Sequence, residues 1–484
     1  KHSMLILLLA GLVAFLAIVY WTFELGHWRH DSYLYRGHKG MLQTVLGDGR
    51  WFAYLFTKWS PEFNPWALWS ANYLLTISGL TLIFYRLFGD RLLAINLAII
   101  ISLYPGFYAQ NMWPLAITSA AILFPLSVFC VQRTGAVLLP LLALPIFGSM
   151  QYFYYFLPLA FLPLGHCRTI RDASEFITPG IVWGVGLILA YLFACLVNYY
   201  RFDEFGIQLA EWRNAHPAED LSTLATNIAF SANNFSTQIT QWLPIWSILI
   251  LVVTVIVCLL NRNLRAGDPL TLVMRGSYAL IVMICPYLTV LQAGINVQPR
   301  SLLPTAAAIV VLPFLLTNRS AHRPLLLVVA IAVGVPSLMQ THAQAEWYSR
   351  LTSENIENLE RAVKKAGADE DQLVVDARHF PAYYQYLLDR LPNLPSPGSL
   401  IISLDQPYKL LGGAVGELGF QQKRICPTKF PLTAGEPLSK TCKELLPKDP
   451  ATHLCKDRTG PICTSRTSDE YLLIQLLPAE DRAG

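Results

Sequence analysis

The sequence predicts a polytopic α-helical membrane protein with about eleven transmembrane helices and a small carboxy-terminal α/β domain. Three observations carry this. Of 484 residues, 54% are apolar and only 14% charged, whereas an ordinary globular chain has about 25% charged residues. The charge is unevenly divided: 1–340 hold 19 Lys/Arg and 13 Asp/Glu, and 341–484 hold 17 and 19. Apolar stretches of about 20 residues, enough for a hydrocarbon core of about 30 Å, recur through the first part. The apolar content excludes disorder. A net charge of +4 without a basic stripe interleaved with aromatics argues against a nucleic-acid partner.

The expected spans are 4–23, 67–85, 92–108, 112–131, 134–149, 151–165, 177–199, 241–260, 271–292, 301–317 and 324–340. The first lacks a small-residue cleavage site, so it reads as a retained span and not a signal peptide. Prolines at 105, 114, 125, 140, 145, 158 and 163 interrupt 92–165, where one piece is expected to be re-entrant or sharply kinked.

Loop charge sets the orientation. Short loops hold Arg86 and Arg91, Arg133, Arg168 and Arg171, Arg262, Arg265 and Arg275, and Arg319 and Arg323, and are expected in the cytoplasm. The loops 24–66, 200–240 and 293–300, and the tail from 341, then lie outside. The domains expected are a membrane module over 4–340 and an outer α/β domain over 341–484. In the tail, a charged helix is expected at 343–366, a helix near 380–391, and strands at Gln372–Asp376, Leu400–Leu404 and Tyr471–Leu477.

Five cysteines (130, 167, 195, 258, 285) fall in spans or on the inner side. Cys426, Cys442, Cys455 and Cys463 cluster in the tail, and an even cluster in an oxidising compartment reads as two disulfides of undetermined pairing. A structural zinc site fits the spacing poorly, and no other metal constellation stands out.

Ionisable groups are nearly absent inside the spans, which disfavours conduction through the middle and favours chemistry at the outer face. The first outer loop carries Glu24, Asp31, Arg36, Arg50, Trp51 and many aromatics. Arginine pairs with phosphate in a bidentate fashion. Aromatics stack on sugar faces, and a carboxylate takes a proton from an attacking hydroxyl. A solvated acid beside an interfacial aromatic belt would give the same spacing. Arg300 lies at an outer span end beside Gln298, placed for snorkelling or for a phosphate. The second outer loop, with Asp203 and Trp212, offers either an acceptor wall or a solvated amphipathic helix. There is no phosphate-cradling glycine-rich motif, so a nucleotide-sugar donor on the inner side is disfavoured.

The stretches His30-Asp31-Ser-Tyr-Leu-Tyr-Arg36, Gly49-Arg50-Trp51 and Gln298-Pro299-Arg300-Ser-Leu-Leu-Pro304 resemble the Gtr-type serotype-converting O-antigen glucosyltransferases, within the GT-C polytopic glycosyltransferases. The layout is similar too: many spans, an Asp in a long first outer loop, a juxtamembrane helix there, and an outer carboxy-terminal domain. Where that family has an acidic pair, this chain has His30-Asp31, so either Asp31 or Glu24 is the essential acid.

The resemblance implies an inverting hexosyltransferase of the bacterial inner membrane with its tail domain in the periplasm. The donor implied is a polyprenyl-phosphate hexose, most simply glucose on undecaprenyl phosphate, and the acceptor a lipid-linked O-antigen or lipopolysaccharide glycan. No cofactor is expected. A separate donor synthase and flippase are the implied partners, with membrane lipids. Asp31, with Glu24 as its rival, is the catalytic carboxylate, acting as general base on the acceptor hydroxyl. Arg36, Arg50, Arg300 and Gln298 bind the donor phosphate, and Trp51, Asp203 and Trp212 bind the acceptor. The alternatives are a GT-C enzyme modifying lipid A or a protein such as pilin, and a polyprenyl-linked sugar flippase or transporter.

Overall fold

The structure, a computed structural model, describes residues 2–25, 45–59, 64–165, 167, 169–208, 215–367, 372–391, 411, 415, 418, 422–426, 457–459, 462–466 and 471–476. The chain divides into two units. One is built mainly from Tyr33–His342, the other mainly from Ala343–Pro397 and Ser403–Gly484.

The first unit is helical. Its described helices are α1 (His2–Leu25), α2 (Trp51–Trp59), α3 (Pro65–Phe88), α4 (Arg91–Ser102), α5 (Pro105–Asn111), α6 (Pro114–Thr134), α7 (Leu139–Phe147), α8 (Leu157–Phe161), α9 (Ile170–Phe202), α10 (Leu221–Trp242), α11 (Ile245–Leu260), α12 (Pro269–Leu288), α13 (Leu303–Leu316) and α14 (His322–Val329). A π-helical turn, Ala330–Gly334, leads into α15 (Val335–Ala366), which continues into the second unit. Among the described residues, five helical runs are long and apolar enough to cross a membrane, or up to seven if each of two bent pairs counts as one span. The bends are 71° between α4 and α5 and 105° between α10 and α11.

Proline marks the helix starts. Pro65, Pro105, Pro114, Pro158, Pro269 and Pro304 occupy first-turn positions, where a missing N–H costs nothing. Gly135, at φ +73°, ends α6 in a conformation that only glycine adopts freely. The run Pro114–Phe147 is therefore two helices joined by a 3-10 turn: α6 packs on α3, and α7 on α9. The span expected at 151–165 takes another form. Gln151–Phe156 is 3-10 and α8 is five residues long, because consecutive aromatics are followed by Pro158 and Pro163 in one short segment.

The basic loops gather at one end of this unit. Arg86 Nη1 donates to the Leu162 carbonyl at 2.9 Å and Arg275 Nη2 to the Leu164 carbonyl at 2.9 Å. Arg265 pairs across a bridge with Thr317, and Gly89 lies against the Arg319 guanidinium. Gln132 Nε2, beside Arg133, donates to the Leu82 carbonyl at 3.0 Å. Exposed apolar residues run along α9 (Ile177, Ile181, Val185, Ile188, Leu192) and α11 (Leu249, Val253, Ile256, Leu260), faces suited to lipid.

The second unit holds a mixed five-stranded sheet of order β2-β1-β5-β4-β3, with β1 (Gln372–Asp376), β2 (Gln422–Cys426), β3 (Asp457–Thr459), β4 (Ile462–Arg466) and β5 (Tyr471–Leu476). β2, β1 and β5 are parallel, whereas β5, β4 and β3 are antiparallel. The helix α16 (Phe380–Asp389) follows β1 and is tied to α15 by Tyr383 Oη donating to Asn355 Oδ1 at 2.8 Å. The strand expected at Leu400–Leu404 lies outside the described residues. Strands β2, β3 and β4 were not expected, being short and rich in polar residues.

Candidate functional site

At the end opposite the basic loops, the Gly49-Arg50-Trp51 stretch is wedged into the unit. Gly49 has φ +79°, and a Cβ added there would lie 3.2–3.3 Å from Ile207 and Ala194, so a side chain at this turn would be strained and crowded. Gly47 offers its carbonyl to Asn198 Nδ2 at 2.8 Å and to the Gln208 N–H at 3.0 Å. Beyond the turn, the N–H groups of Phe52 and Ala53 both donate to the Gly148 carbonyl. Trp51 packs edge-on against Phe193, with ring centroids 5.1 Å apart. These contacts fix Arg50, whose guanidinium is 4.0 Å from the Asp48 carboxylate with both side chains mostly buried. Arg50 also acts electrostatically on Tyr152.

The second arginine is fixed independently. Asn234 Nδ2 donates to Asn296 Oδ1 and Gln238 Nε2 to the Val297 carbonyl, while Tyr287 Oη donates to Gln238 Oε1 at 3.0 Å. Tyr104 Oη donates to the Pro299 carbonyl at 2.9 Å. Gly106 lets that carbonyl approach to where a Cβ would stand, 2.4 Å away. The resulting 3-10 turn, Pro299–Ser301, starts at Gln298, whose carbonyl accepts the Ser301 N–H at 2.9 Å. Arg300 lies over the Trp113 ring at 4.1 Å from its centroid, a cation–π contact at the start of α6.

Near α3, α5 and the 3-10 segment 151–156 lies a set of uncharged polar side chains that the sequence reasoning missed. Tyr73 is fully buried, packs edge-on against Phe107 with ring centroids 4.7 Å apart and interacts electrostatically with Tyr108 and Tyr152. Asn72 Nδ2 donates to the Pro114 carbonyl at 2.9 Å, and Asn111 Nδ2 to the Phe107 carbonyl at 3.1 Å. The Tyr73 and Tyr152 hydroxyls and the Asn72 and Asn111 Oδ1 atoms are buried without a hydrogen-bond partner. Such groups are costly in an apolar bundle unless something pairs with them. The sequence signal was present: Asn72 and Thr76 are one turn apart within an apolar run, and Asn111 interrupts another.

Of the other expected site residues, Asp203 is the described non-glycine residue with positive φ, 57°. It closes the carboxyl end of α9, its N–H donating to Tyr199, and its side chain is exposed. Asp31, Arg36 and Trp212 lie outside the described residues, as do Cys442 and Cys455; Glu24 falls in the last turn of α1, outside the described side chains. Cys426 and Cys463 are disulfide-bonded. Among the described residues, no group of three or more His, Cys, Asp or Glu side chains could hold a metal ion. Comparison with protein-family models, curated proteins and solved structures gives no match.

Proposed function

We propose that the chain is an inverting membrane glycosyltransferase that moves a hexose, most simply glucose, from a polyprenyl-phosphate donor to a lipid-linked O-antigen or lipopolysaccharide glycan. The observation that carries the reading is the pair of separately anchored arginines, Arg50 and Arg300, at the end of the helical unit away from the basic loops. Between inner-side arginines and this end, the bundle offers apolar surface for a polyprenyl chain. By the positive-inside rule the basic end faces the cytoplasm, which puts the reaction and the tail in the periplasm. The eleven-span topology belongs to this proposal.

In the reaction, the Asp31 carboxylate takes the proton of the acceptor hydroxyl. The hydroxyl oxygen bonds to the anomeric carbon as the bond from that carbon to the phosphate oxygen breaks. The electron pair leaves on polyprenyl phosphate, whose charge Arg36, Arg50 and Arg300 hold with Gln298. Phosphate leaves readily, so a general acid is not needed. Trp51, Asp203 and Trp212 are the proposed acceptor contacts. The test is transfer of labelled hexose from synthetic polyprenyl-phosphate hexose to a lipid-linked glycan by purified protein in detergent. Product without two compartments supports an enzyme and excludes a pure flippase. No product with any lipid A, glycan or protein acceptor overturns the reading.

A further inference from the structure

Asn72, Tyr73, Asn111 and Tyr152 are at most 2% exposed and leave four polar atoms unpaired. The two amides are oriented by their own bonds. Each Nδ2 faces a backbone carbonyl, which can only accept, so each Oδ1 is the end left over and needs a donor. The two phenols can donate or accept.

The four belong to one neighbourhood. Asn72 and Tyr73 are adjacent on α3. Phe107, which packs edge-on against Tyr73, is one turn from Asn111 on α5. Tyr152 is an electrostatic neighbour of both Tyr73 and Arg50. A phosphate carries acceptors only and cannot satisfy an amide oxygen. A polyhydroxylated ring carries both kinds of group and can satisfy all four.

The geometry points to these four side chains as the part of the site that reads the hydroxyls of the donor's hexose, beside the arginine that holds its phosphate. This inference rests on the glycosyltransferase reading and adds to it a set of specificity-determining residues.

The test uses the purified full chain in lipid nanodiscs, with polyprenyl phosphate and polyprenyl-phosphate glucose as probes. Tyr73→Phe and Tyr152→Phe keep the rings and remove only the hydroxyls, on two different elements. The unvaried protein should bind the glucosyl lipid more tightly than the bare lipid phosphate. Each variant should bind the glucosyl lipid about 3- to 10-fold more weakly, the worth of one hydrogen bond. Its affinity for the bare lipid phosphate should stay unchanged, and its ligand-free melting temperature should be equal or higher, since an unpaired buried hydroxyl is gone. If both variants keep the full preference for the glucosyl lipid, or lose affinity for both lipids equally, the assignment of these hydroxyls to the sugar is wrong and the enzyme reading stands. If the unvaried protein binds neither lipid, the enzyme reading falls and this inference with it.

Discussion

Trp51 and Gly148 touch so closely that a methyl group on the glycine would lie 2.4 Å from the indole nitrogen. The same glycine accepts the N–H groups of Phe52 and Ala53, so indole and backbone are docked at one point. Gly148 has φ −67°, which any residue tolerates, so its requirement is for space. Gly148→Ala should therefore destabilise by overpacking, by about 1–3 kcal/mol. Adding Trp51→Phe should recover part of the loss. Thermal unfolding of the two single variants and the double variant checks this; strictly additive effects would contradict the contact.

Arg300 is held over Trp113 while its turn is pinned through Pro299 and Val297. Arg300→Lys keeps the charge but loses the planar fork and most of the stacking, so partial donor affinity should remain, and Arg300→Ala should do worse. Trp113→Leu should weaken donor binding about 3-fold or more through loss of the cation–π contact. Donor-dependence kinetics read all three. Unaltered donor kinetics in Arg300→Ala would reduce this residue to an interfacial anchor.

The tail sheet limits how its cysteines pair. Cys426, Asp376, Gln475 and Cys463 form one row across β2, β1, β5 and β4. Three strand intervals separate the end members by about 14 Å, whereas a disulfide needs Cα atoms within about 7 Å. Cys426 and Cys463 are both disulfide-bonded, hence not to each other. Non-reducing peptide mapping should find Cys426 joined to Cys442 or Cys455 and Cys463 to the other. The local pairing, 426–442 with 455–463, is one of these two outcomes. A 426–463 peptide would contradict the sheet register.

Burial pushes the Tyr383 phenol well above its ordinary value, and its neighbour Tyr384 is pushed up to about 12 for the same reason. A raised folded-state value gives stability that is complete below the unfolded value of about 10 and lost as pH rises beyond it. The tail unit should thus loosen above about pH 10. Tyr383→Phe should flatten that dependence, while losing the bond to Asn355 at neutral pH. Hydrogen exchange of α15 and α16 against pH measures it, and an unchanged alkaline slope in the variant would contradict the assignment.

Much of the helical unit was legible because proline and glycine punctuate it: Pro65, Pro114 and Pro269 open helices where the apolar runs begin, and Pro105 breaks the run 92–108 into two helices. The segment 151–161 was misread because Tyr152–Phe156 are as apolar as a span, and hydropathy carries no information on 3-10 winding. Gly49-Arg50-Trp51 was legible as a motif, though not its partners: Gly148 and Ala194 are distant in sequence and meet it only through tertiary packing. Asn72, Tyr73, Asn111 and Tyr152 escaped because the criterion of charge within a span passes over uncharged amides and phenols. In the tail, Gln372–Asp376 and Tyr471–Leu476 announced themselves as apolar runs, whereas Gln-Lys-Arg-Ile-Cys and Asp-Arg-Thr gain strand structure only from their neighbours.

The proposed transfer depends on a carboxylate in the first loop, and turnover of Asp31→Asn with Glu24→Gln alongside it tests that most directly. An ordinary aspartate is ionised at neutral pH and can act as a base. Asparagine keeps its size but cannot take the acceptor's proton. Loss of a general base costs about 10²–10⁴-fold, so hexose transfer by Asp31→Asn should fall by that much while donor binding and folding survive, and Glu24→Gln should be the milder change. Near-normal transfer by Asp31→Asn with a dead Glu24→Gln would move the base to Glu24. Near-normal transfer by both would rule out a carboxylate base in this loop.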